Sequence, residues 1–332
     1  LSASNIMYLE PVNISVLNSD KDEYAPSWNS FTTNLFFTST RKDSEKLFTT
    51  RKNADGFFEL PIYLEHPINR NHANLSYIDF VSSDKAYFST FLFDGTAPRL
   101  QIYYSNFKKK AWSEGFIIDE FASPEFVGHS SISVDGNQLA FTTQSEEGDL
   151  DIMISYRLQD GTWRDPIPMD MMNSTGDEIT PHFASSDTLF FASDGQSGPG
   201  GFDIYFSVKS EGIWQRPSPL YEINTEYDES DVCSLPNGDI IFASNRPGGR
   251  ARWPRQPAPW SRPGGAHRRR RDRPGPTRSR ARRHAPGRPC SAPAQSGPVG
   301  SRAAGRYRPG CAGSAWPHRR RAQGARGSWR PP

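Results

Sequence analysis

The stretch DEITPHFASSDTLFFASDGQSGPGGFDIYFS, residues 177–207, decides the fold. It holds two short runs rich in aromatic and aliphatic residues, 188–193 and 202–207, separated by a segment of glycine, serine and aspartate. Short runs of this composition are typical of β-strands, and glycine-rich separators are typical of the turns between them. The stretch has no spacing of apolar residues typical of an amphipathic helix. It therefore predicts two strands joined by a turn.

The first of these runs recurs along the chain. Each copy ends its apolar core on a phenylalanine, and successive copies are 51, 53, 50 and 51 residues apart, at Phe37, Phe88, Phe141, Phe191 and Phe242. Units of this length that hold about four short strands are typical of β-propeller blades. We therefore predict an all-β fold, a β-propeller of four-stranded blades, with four complete blades and a partial fifth. A six-bladed parent is expected.

The repeat divides the chain into three regions. Residues 1–22 are an N-terminal segment that could supply a closing strand. Residues 23–249 hold the propeller repeats, in units that start near residues 23, 74, 125, 178 and 229. Residues 250–332 form a tail of different composition.

The tail differs from the repeats in charge. It contains 22 Arg, no Lys and one acidic residue, Asp272, and so carries a formal charge of +21, against −19 for residues 1–249. It has too few apolar residues to offset chain entropy, and we expect it to be disordered. The repeat pattern breaks in mid-blade at Gly249, and Arg, Pro, Ala and Gly are the residues favoured when GC-rich DNA is read out of frame. This favours an out-of-frame sequence over a basic tail that binds nucleic acid.

Residues 177–207 resemble the WD-like β-propeller repeat of TolB-type proteins, which also occurs beside OmpA-like peptidoglycan-binding domains. The shared elements are Asp-Glu-x-x-Pro, an aromatic strand, an Asp-Gly turn and Gly-Gly-Phe-Asp-Ile-Tyr. The resemblance covers residues 13–249, although the third unit lacks the Gly-Gly pair and the second has Gln101 in place of the aspartate. It implies a non-catalytic scaffold or protein-interaction propeller of the cell envelope, periplasmic or associated with the outer membrane. It also implies a protein partner there, and peptidoglycan or glycan association through further domains.

The sequence contains none of the compact motifs that would identify a hydrolase or nucleotide-binding enzyme. Gly-x-Ser-x-Gly, His-Glu-x-x-His and P-loop patterns are all absent from the 332 residues. We therefore predict no catalytic residue, no cofactor and no enzymatic activity. Two alternatives stay open, a propeller associated with a peptidase or glycosidase and a carbohydrate-binding propeller. No apolar run is long enough to predict a transmembrane segment.

Candidate binding residues come from positions that repeat between units. The motif Asn-[Ser/Thr]-x-x-Asp-Glu ends at Glu23, Glu178 and Glu229. Asn74 and Glu125 are assigned to the same position in the other two units. These residues are expected on one rim, either as acceptors for backbone N–H groups of the connecting turn or as a negative collar for a cation or basic partner.

Two histidines complete the candidates. His129 and His182 are assigned to equivalent positions near the start of the first strand in successive units. Histidines that approach the channel from neighbouring blades could share a metal ion, but a zinc site needs further ligands and the sequence shows none. We therefore predict local hydrogen bonds for both histidines and no metal site.

Overall fold

The computed structural model describes residues 11–72, 74–93, 99–123 and 125–247, together with the backbone of residues 321–325. Strands and the turns between them make up nearly all of this part of the chain. One short helix, α1 (Pro67–Asn71), and one turn of 3₁₀ helix (Asp119–Phe121) interrupt them. No helix within these ranges has the length and apolar character needed to cross a membrane. The predicted all-β fold is confirmed.

The described strands form five sheets, one for each repeat unit. The short strand β1 (Val12–Asn13) precedes the first of them. Blade 1 contains β2 (Glu23–Asn29), β3 (Asn34–Ser39), β4 (Lys46–Arg51) and β5 (Ile62–Tyr63). Blade 2 contains β6 (Leu75–Ser82), β7 (Lys85–Leu92), β8 (Arg99–Lys108), β9 (Ala111–Trp112) and β10 (Phe116–Ile117).

The next two blades have the same plan. Blade 3 contains β11 (Val127–Ile132), β12 (Gln138–Gln144), β13 (Leu150–Tyr156) and β14 (Ile167–Pro168). Blade 4 contains β15 (Glu178–Ser185), β16 (Thr188–Ser193), β17 (Asp203–Ser210), β18 (Ile213–Trp214) and β19 (Ser218–Pro219). Paired strands are antiparallel, and the first strand of each blade lies innermost, beside the first strands of its neighbours.

The recurring phenylalanines lie on the second strand of their sheets. In blade 4, Phe191 is paired with Tyr205 of the third strand. All of these phenylalanines are at most 2% exposed: Phe37, Phe88, Phe141, Phe191 and Phe242. The repeat period therefore placed the core of each blade correctly.

The fifth sheet is assembled from three parts of the chain. It contains β20 (Glu229–Ser234), β21 (Ile240–Ser244), β22 (Arg321–Ala325) and β1, in that order. β20 and β21 belong to the fifth repeat unit, β22 comes from the tail, and β1 comes from the N-terminal segment. The rest of the tail, for which disorder is expected, lies outside the described residues.

The fifth sheet packs directly against blade 1, so that the ring of blades is closed. β20 lies beside β2, and one apolar cluster includes Phe37 of blade 1, Ile241 of the fifth sheet and Leu17 from the segment after β1. The backbone N–H of Trp28 in β2 also donates to the sulfur of Cys233 in β20. The five sheets of this chain therefore close a ring by themselves, and a six-bladed parent stays a prediction.

Candidate functional site

The five innermost strands share a backbone irregularity. Each contains a β-bulge at which a residue other than glycine has a left-handed φ. The φ values lie between 48° and 54°, at Ala25, Tyr77, His129, Thr180 and Asp231. This backbone region is disfavoured for residues with a side chain, and it persists only where the surrounding structure imposes it. Such positions are concentrated at functional sites, so the five bulges indicate a functional site along the inner strands.

The inner strands surround a narrow central channel. A cavity of about 30 Å³ in this channel is lined by side chains and backbone from all five sheets. Its wall includes four of the bulged residues and four polar residues that follow them: Ala25, Tyr77, Thr180 and Asp231, then Ser27, Asp79, Ser131 and His182. The wall of the cavity therefore mixes polar and apolar groups, and the cavity has room for little more than a water molecule.

Residues two positions after the bulge link neighbouring blades. Asp79, Ser131 and His182 each accept a hydrogen bond from a backbone N–H in the inner strand of the next blade. The donors are Ile132 N to Asp79 Oδ2 at 3.0 Å, Phe183 N to Ser131 Oγ at 3.1 Å, and Ser234 N to His182 Nε2 at 3.0 Å. The bond from Trp28 to Cys233 is the same link at the junction that closes the ring.

Burial shifts the pKa values of Asp79 and His182 in opposite directions. It raises the pKa of Asp79 to about 6, against the opposing effect of the hydrogen bonds that this carboxylate accepts. It lowers the pKa of His182 to about 4. His182 is therefore neutral at physiological pH, with an unprotonated Nε2 that accepts from Ser234. Its contacts are those of a structural connection between blade 4 and the fifth sheet.

His129 does not occupy the position equivalent to His182. The strand pairing makes Ser131 the equivalent of His182, and His129 is instead the bulged residue of blade 3. The sequence alignment matched Glu125 to Glu178 and therefore His129 to His182. This match is wrong because Glu178 begins its inner strand, whereas Glu125 lies two residues before β11 begins.

Within the described ranges, no group of three or more His, Cys, Asp or Glu side chains could hold a metal ion.

Three of the five predicted rim residues begin an inner strand and are fully buried: Glu23, Glu178 and Glu229. Each carboxylate accepts from the backbone N–H and hydroxyl of a serine or threonine four residues earlier, and from a serine that ends the second strand. At Glu229 the donors are Thr225 N at 2.7 Å, Thr225 Oγ1 at 2.9 Å and Ser244 Oγ at 2.8 Å. The sequence motif is therefore a turn that satisfies a buried carboxylate.

Asn74 and Glu125 do not fill this position. Leu75 and Val127 begin β6 and β11 and are apolar. Asn74 instead accepts the backbone N–H of Glu45 through Oδ1, and Glu125 is exposed. A collar of five equivalent polar groups is therefore not formed, because the turns that precede β6 and β11 lack the motif.

Two of the three buried glutamates are paired with an arginine. The pairs are Glu23–Arg41 and Glu229–Arg246, both with N–O distances of 3.0 Å. In blade 4 the residue at the arginine position is Gly195, where a Cβ atom would lie 1.9 Å from Ser174 Oγ. Glu178 therefore has no cation at this position, and burial raises its pKa to about 7.

We expect Glu178 to make the stability depend on pH. The folded protein keeps this proton up to about pH 7, whereas the unfolded chain releases it near the ordinary value of 4.5, so that unfolding releases a proton between these limits. The free energy of unfolding should fall by about 2–3 kcal/mol as the pH rises through this window. Glu178→Gln should remove that dependence and be the more stable protein at pH 8. Urea unfolding of both proteins at pH 5 and pH 8 measures the effect, and identical pH profiles would contradict it.

A second group of side chains meets near the end of the channel at which the inner strands begin. We call Tyr24, Glu45, Tyr77, His129 and Asp231 the channel cluster. Tyr24 is hydrogen-bonded to Glu45, and the Tyr24 and Tyr77 ring centroids are 6.0 Å apart. The Tyr77 and His129 ring centroids are 4.3 Å apart. Burial, then the charge of Glu45 and to a smaller extent that of Asp231, raise the pKa of Tyr24 well above its ordinary value.

The bulges account for this arrangement. Tyr77, His129 and Asp231 are the bulged residues of three sheets, Tyr24 directly precedes the bulge of blade 1, and Glu45 lies in the turn between β3 and β4. Sequence reasoning missed all of these residues except His129. The available signal was variation, because the bulged position carries a different residue type in each unit of an otherwise regular repeat.

The channel cluster combines two carboxyl groups with aromatic rings. Burial raises the pKa of Glu45, against the smaller effect of its hydrogen bond from Tyr24. Glu45 therefore keeps its proton to a higher pH than an exposed glutamate, and the charge of Asp231 makes a smaller contribution to the raised pKa of the same tyrosine. Aromatic surface with a few converging polar groups is typical of sites for small polar ligands.

No protein-family model matches the chain, and no curated protein matches it in sequence. Solved structures do resemble it. A thermostable family-43 glycoside hydrolase has a TM-score of 0.49 and 12% identity, with 72% of this chain and 87% of the other covered. A putative TolB from Agrobacterium tumefaciens has a TM-score of 0.45 and 13% identity, with coverage of 73% and 79%. An endo-arabinase from Bacteroides thetaiotaomicron has a TM-score of 0.43 and 15% identity, with coverage of 73% and 94%.

These comparisons correct one expectation from the sequence. The chain is similar to TolB propellers, as the repeat suggested, but it is similar to glycoside hydrolases as well. The expectation of no enzymatic activity, which rested on the absence of compact catalytic motifs, is contradicted, because several of the similar propellers are glycoside hydrolases. Identities of 12–15% do not indicate which activity a propeller has, so the function must be argued from the site.

Proposed function

We propose that a carbohydrate binds on the solvent-facing side of the channel cluster, where Glu45 and Tyr77 are half-buried and not fully buried, and that the chain hydrolyses a glycosidic bond there. The proposal is carried by Glu45, which is half-buried and hydrogen-bonded to Tyr24, and by Asp231, whose charge also acts on Tyr24 from the inner strand of the fifth sheet. Glycoside hydrolysis uses a pair of carboxyl groups, one of which holds a proton for the leaving oxygen while the other acts as base or nucleophile.

The environments of the two groups suggest their roles. Burial raises the pKa of Glu45, which suits a general acid that must hold its proton until the glycosidic oxygen leaves. Asp231 lies on the bulged inner strand of the fifth sheet, where the backbone is held in a left-handed conformation and the residue lines the channel. Tyr77, which is half-buried beside His129, supplies ring surface against which the apolar face of a sugar can pack.

The test is an assay of the full chain against 4-nitrophenyl glycosides of arabinofuranose, xylose, galactose, glucose and N-acetylglucosamine. Glu45→Gln and Asp231→Asn should each lower kcat/KM by about 100-fold or more on the glycoside that the chain cleaves. Glu211→Gln is the matched control, because Glu211 is exposed in the turn after β17, at the opposite end of the blade. Melting curves of all three variants show whether a loss of activity reflects unfolding.

Three results would overturn the proposal. They are the absence of cleavage for the whole panel, full activity in both cluster variants, and sugar binding without turnover.

The repeat resemblance also leads us to propose that this activity belongs to the periplasm or outer membrane and that an envelope protein is the partner. The activity should then appear in an osmotic-shock extract of the native cells, and its recovery with the cytoplasm would reject that compartment.

A further inference from the structure

The third strand of the fifth sheet differs from the third strands of the other four. In blades 1 to 4 these strands are β4, β8, β13 and β17, and each belongs to its own repeat unit. In the fifth sheet the same position is taken by β22, which is separated from β21 by more than seventy residues of the tail.

The strand register shows which residue types occupy the third-strand position in the other four blades. The residue paired with the central phenylalanine is large in every complete blade: Phe48, Tyr103, Met153 and Tyr205. The residue before it is a branched aliphatic, buried in the cluster shared with the next blade: Leu47, Ile102, Ile152 and Ile204. In the fifth sheet the corresponding residues are Gln323, paired with Phe242, and Ala322, paired with Ala243.

The N-terminal segment lies on the side of this third-strand position that is opposite β21. In blades 1, 3 and 4, an asparagine that follows the outermost strand is bound to the third strand. Its side-chain amide accepts a hydrogen bond from the backbone N–H of one residue of that strand and donates one to the carbonyl oxygen of the same residue. The pairs are Asn69 with Leu47, Asn173 with Ile152, and Asn224 with Ile204. Asn18 follows β1 at the corresponding place, and Leu17 is fully buried between the fifth sheet and blade 1. β1, Leu17 and Asn18 thus form the outer boundary of a third-strand position.

We propose that this position, between β21 and β1, is an acceptor for a β-strand of another polypeptide that carries a branched aliphatic residue followed by an aromatic one. The incoming strand runs antiparallel to β21 and displaces Arg321–Ala325. Its backbone completes the hydrogen bonds of β21, and its two apolar side chains fill the places that Ala322 and Gln323 hold in the register. Strand addition of this kind takes its affinity from backbone pairing and its specificity from alternate side chains.

The probe is a fluorescent peptide with the sequence of residues 201–208, which contains the third strand of blade 4. The control peptide differs by Ile204→Ala and Tyr205→Gln, the residue types that β22 has in register. We expect the full chain to bind the first peptide at least tenfold more tightly than the control in fluorescence anisotropy. Gln323→Pro in the chain should strengthen binding, because proline removes a backbone N–H and disfavours β22.

Two further results decide the outcome. Peptide binding should increase the hydrogen-exchange protection of residues 240–244, and Asn18→Ala should weaken binding. Equal affinity for the two peptides, no binding, or no effect of Gln323→Pro would overturn the proposal. Exchange of strands between copies of the chain would appear as a dimer in light scattering that forms without peptide, and this too would overturn it. None of these outcomes depends on whether the chain hydrolyses glycosides.

Discussion

Phe191→Ala should lower the free energy of unfolding by about 3–5 kcal/mol, the largest effect expected from a single substitution in the core. Phe191 is 1% exposed and belongs to an apolar cluster that joins blades 3 and 4 and also includes Ile152 and Leu189. Its ring is stacked on Tyr205 with a centroid distance of 5.9 Å. Replacement by alanine removes this burial and leaves a cavity that the packed sheets cannot close.

Urea unfolding followed by circular dichroism measures the loss. Phe57→Ala is the matched control, because Phe57 is 58% exposed in a turn of blade 1 and should cost less than about 1 kcal/mol. The same unfolding midpoint for Phe191→Ala and the wild-type chain would mean that blades 3 and 4 do not share this core.

The burial of Phe191 was predictable because the repeat itself provided the alignment. Five phenylalanines at nearly constant intervals mark the second strand of each sheet, and a residue on a central strand is covered on both faces. The turn function of the Asn-[Ser/Thr]-x-x-Asp-Glu motif was also predictable, since a buried carboxylate needs donors and the motif supplies a hydroxyl and an N–H nearby.

The closure of the ring was only partly predictable. A closing strand was expected from residues 1–22, but β1 has two residues, Val12 and Asn13, and two residues carry no periodicity that could mark which part of the segment pairs. The repeat period likewise counts five units without indicating that five blades close a ring. The link residues differ at every junction, with an aspartate, a serine, a histidine and a cysteine in equivalent places. Such a set has no common sequence signature.

The channel cluster was missed for a related reason. Left-handed backbone is usually marked by glycine, but the bulged residues here are alanine, tyrosine, histidine, threonine and aspartate. Tertiary packing between the inner strands, and not local preference, imposes the conformation. The cluster also joins Glu45 from a turn with residues of several inner strands, and only the closed ring brings these together.

The second large effect on the free energy of unfolding is expected at the buried glutamates. Glu229 and Glu178 differ mainly in whether an arginine is paired with the carboxylate, so that a comparison of the two isolates the charge. Glu229→Gln leaves Arg246 without its carboxylate, while the Arg246 side chain is 16% exposed and fixed by a hydrogen bond from Nη2 to the carbonyl of Ile223 at 2.6 Å. A partly buried guanidinium without its partner is costly, and we expect a loss of about 3 kcal/mol at pH 7. Glu178→Gln, at the equivalent position without an arginine, should cost nothing at that pH, because by pH 7 the wild-type chain has lost most of the stability that the Glu178 proton contributes.

A double-mutant cycle separates the charge from the packing. Arg246→Met in the Glu229→Gln background removes the unpaired cation but keeps an apolar stem over Phe242, whose ring centroid lies 5.3 Å from the guanidinium carbon. The double variant should therefore recover most of the stability that Glu229→Gln loses, because replacing both members of a buried ion pair is far less costly than removing one. If the two losses simply add, Arg246 contributes through its hydrogen bond to Ile223 and not through Glu229. The buried carboxylate would then owe its stability to Thr225 and Ser244 alone, as Glu178 does to its two serines.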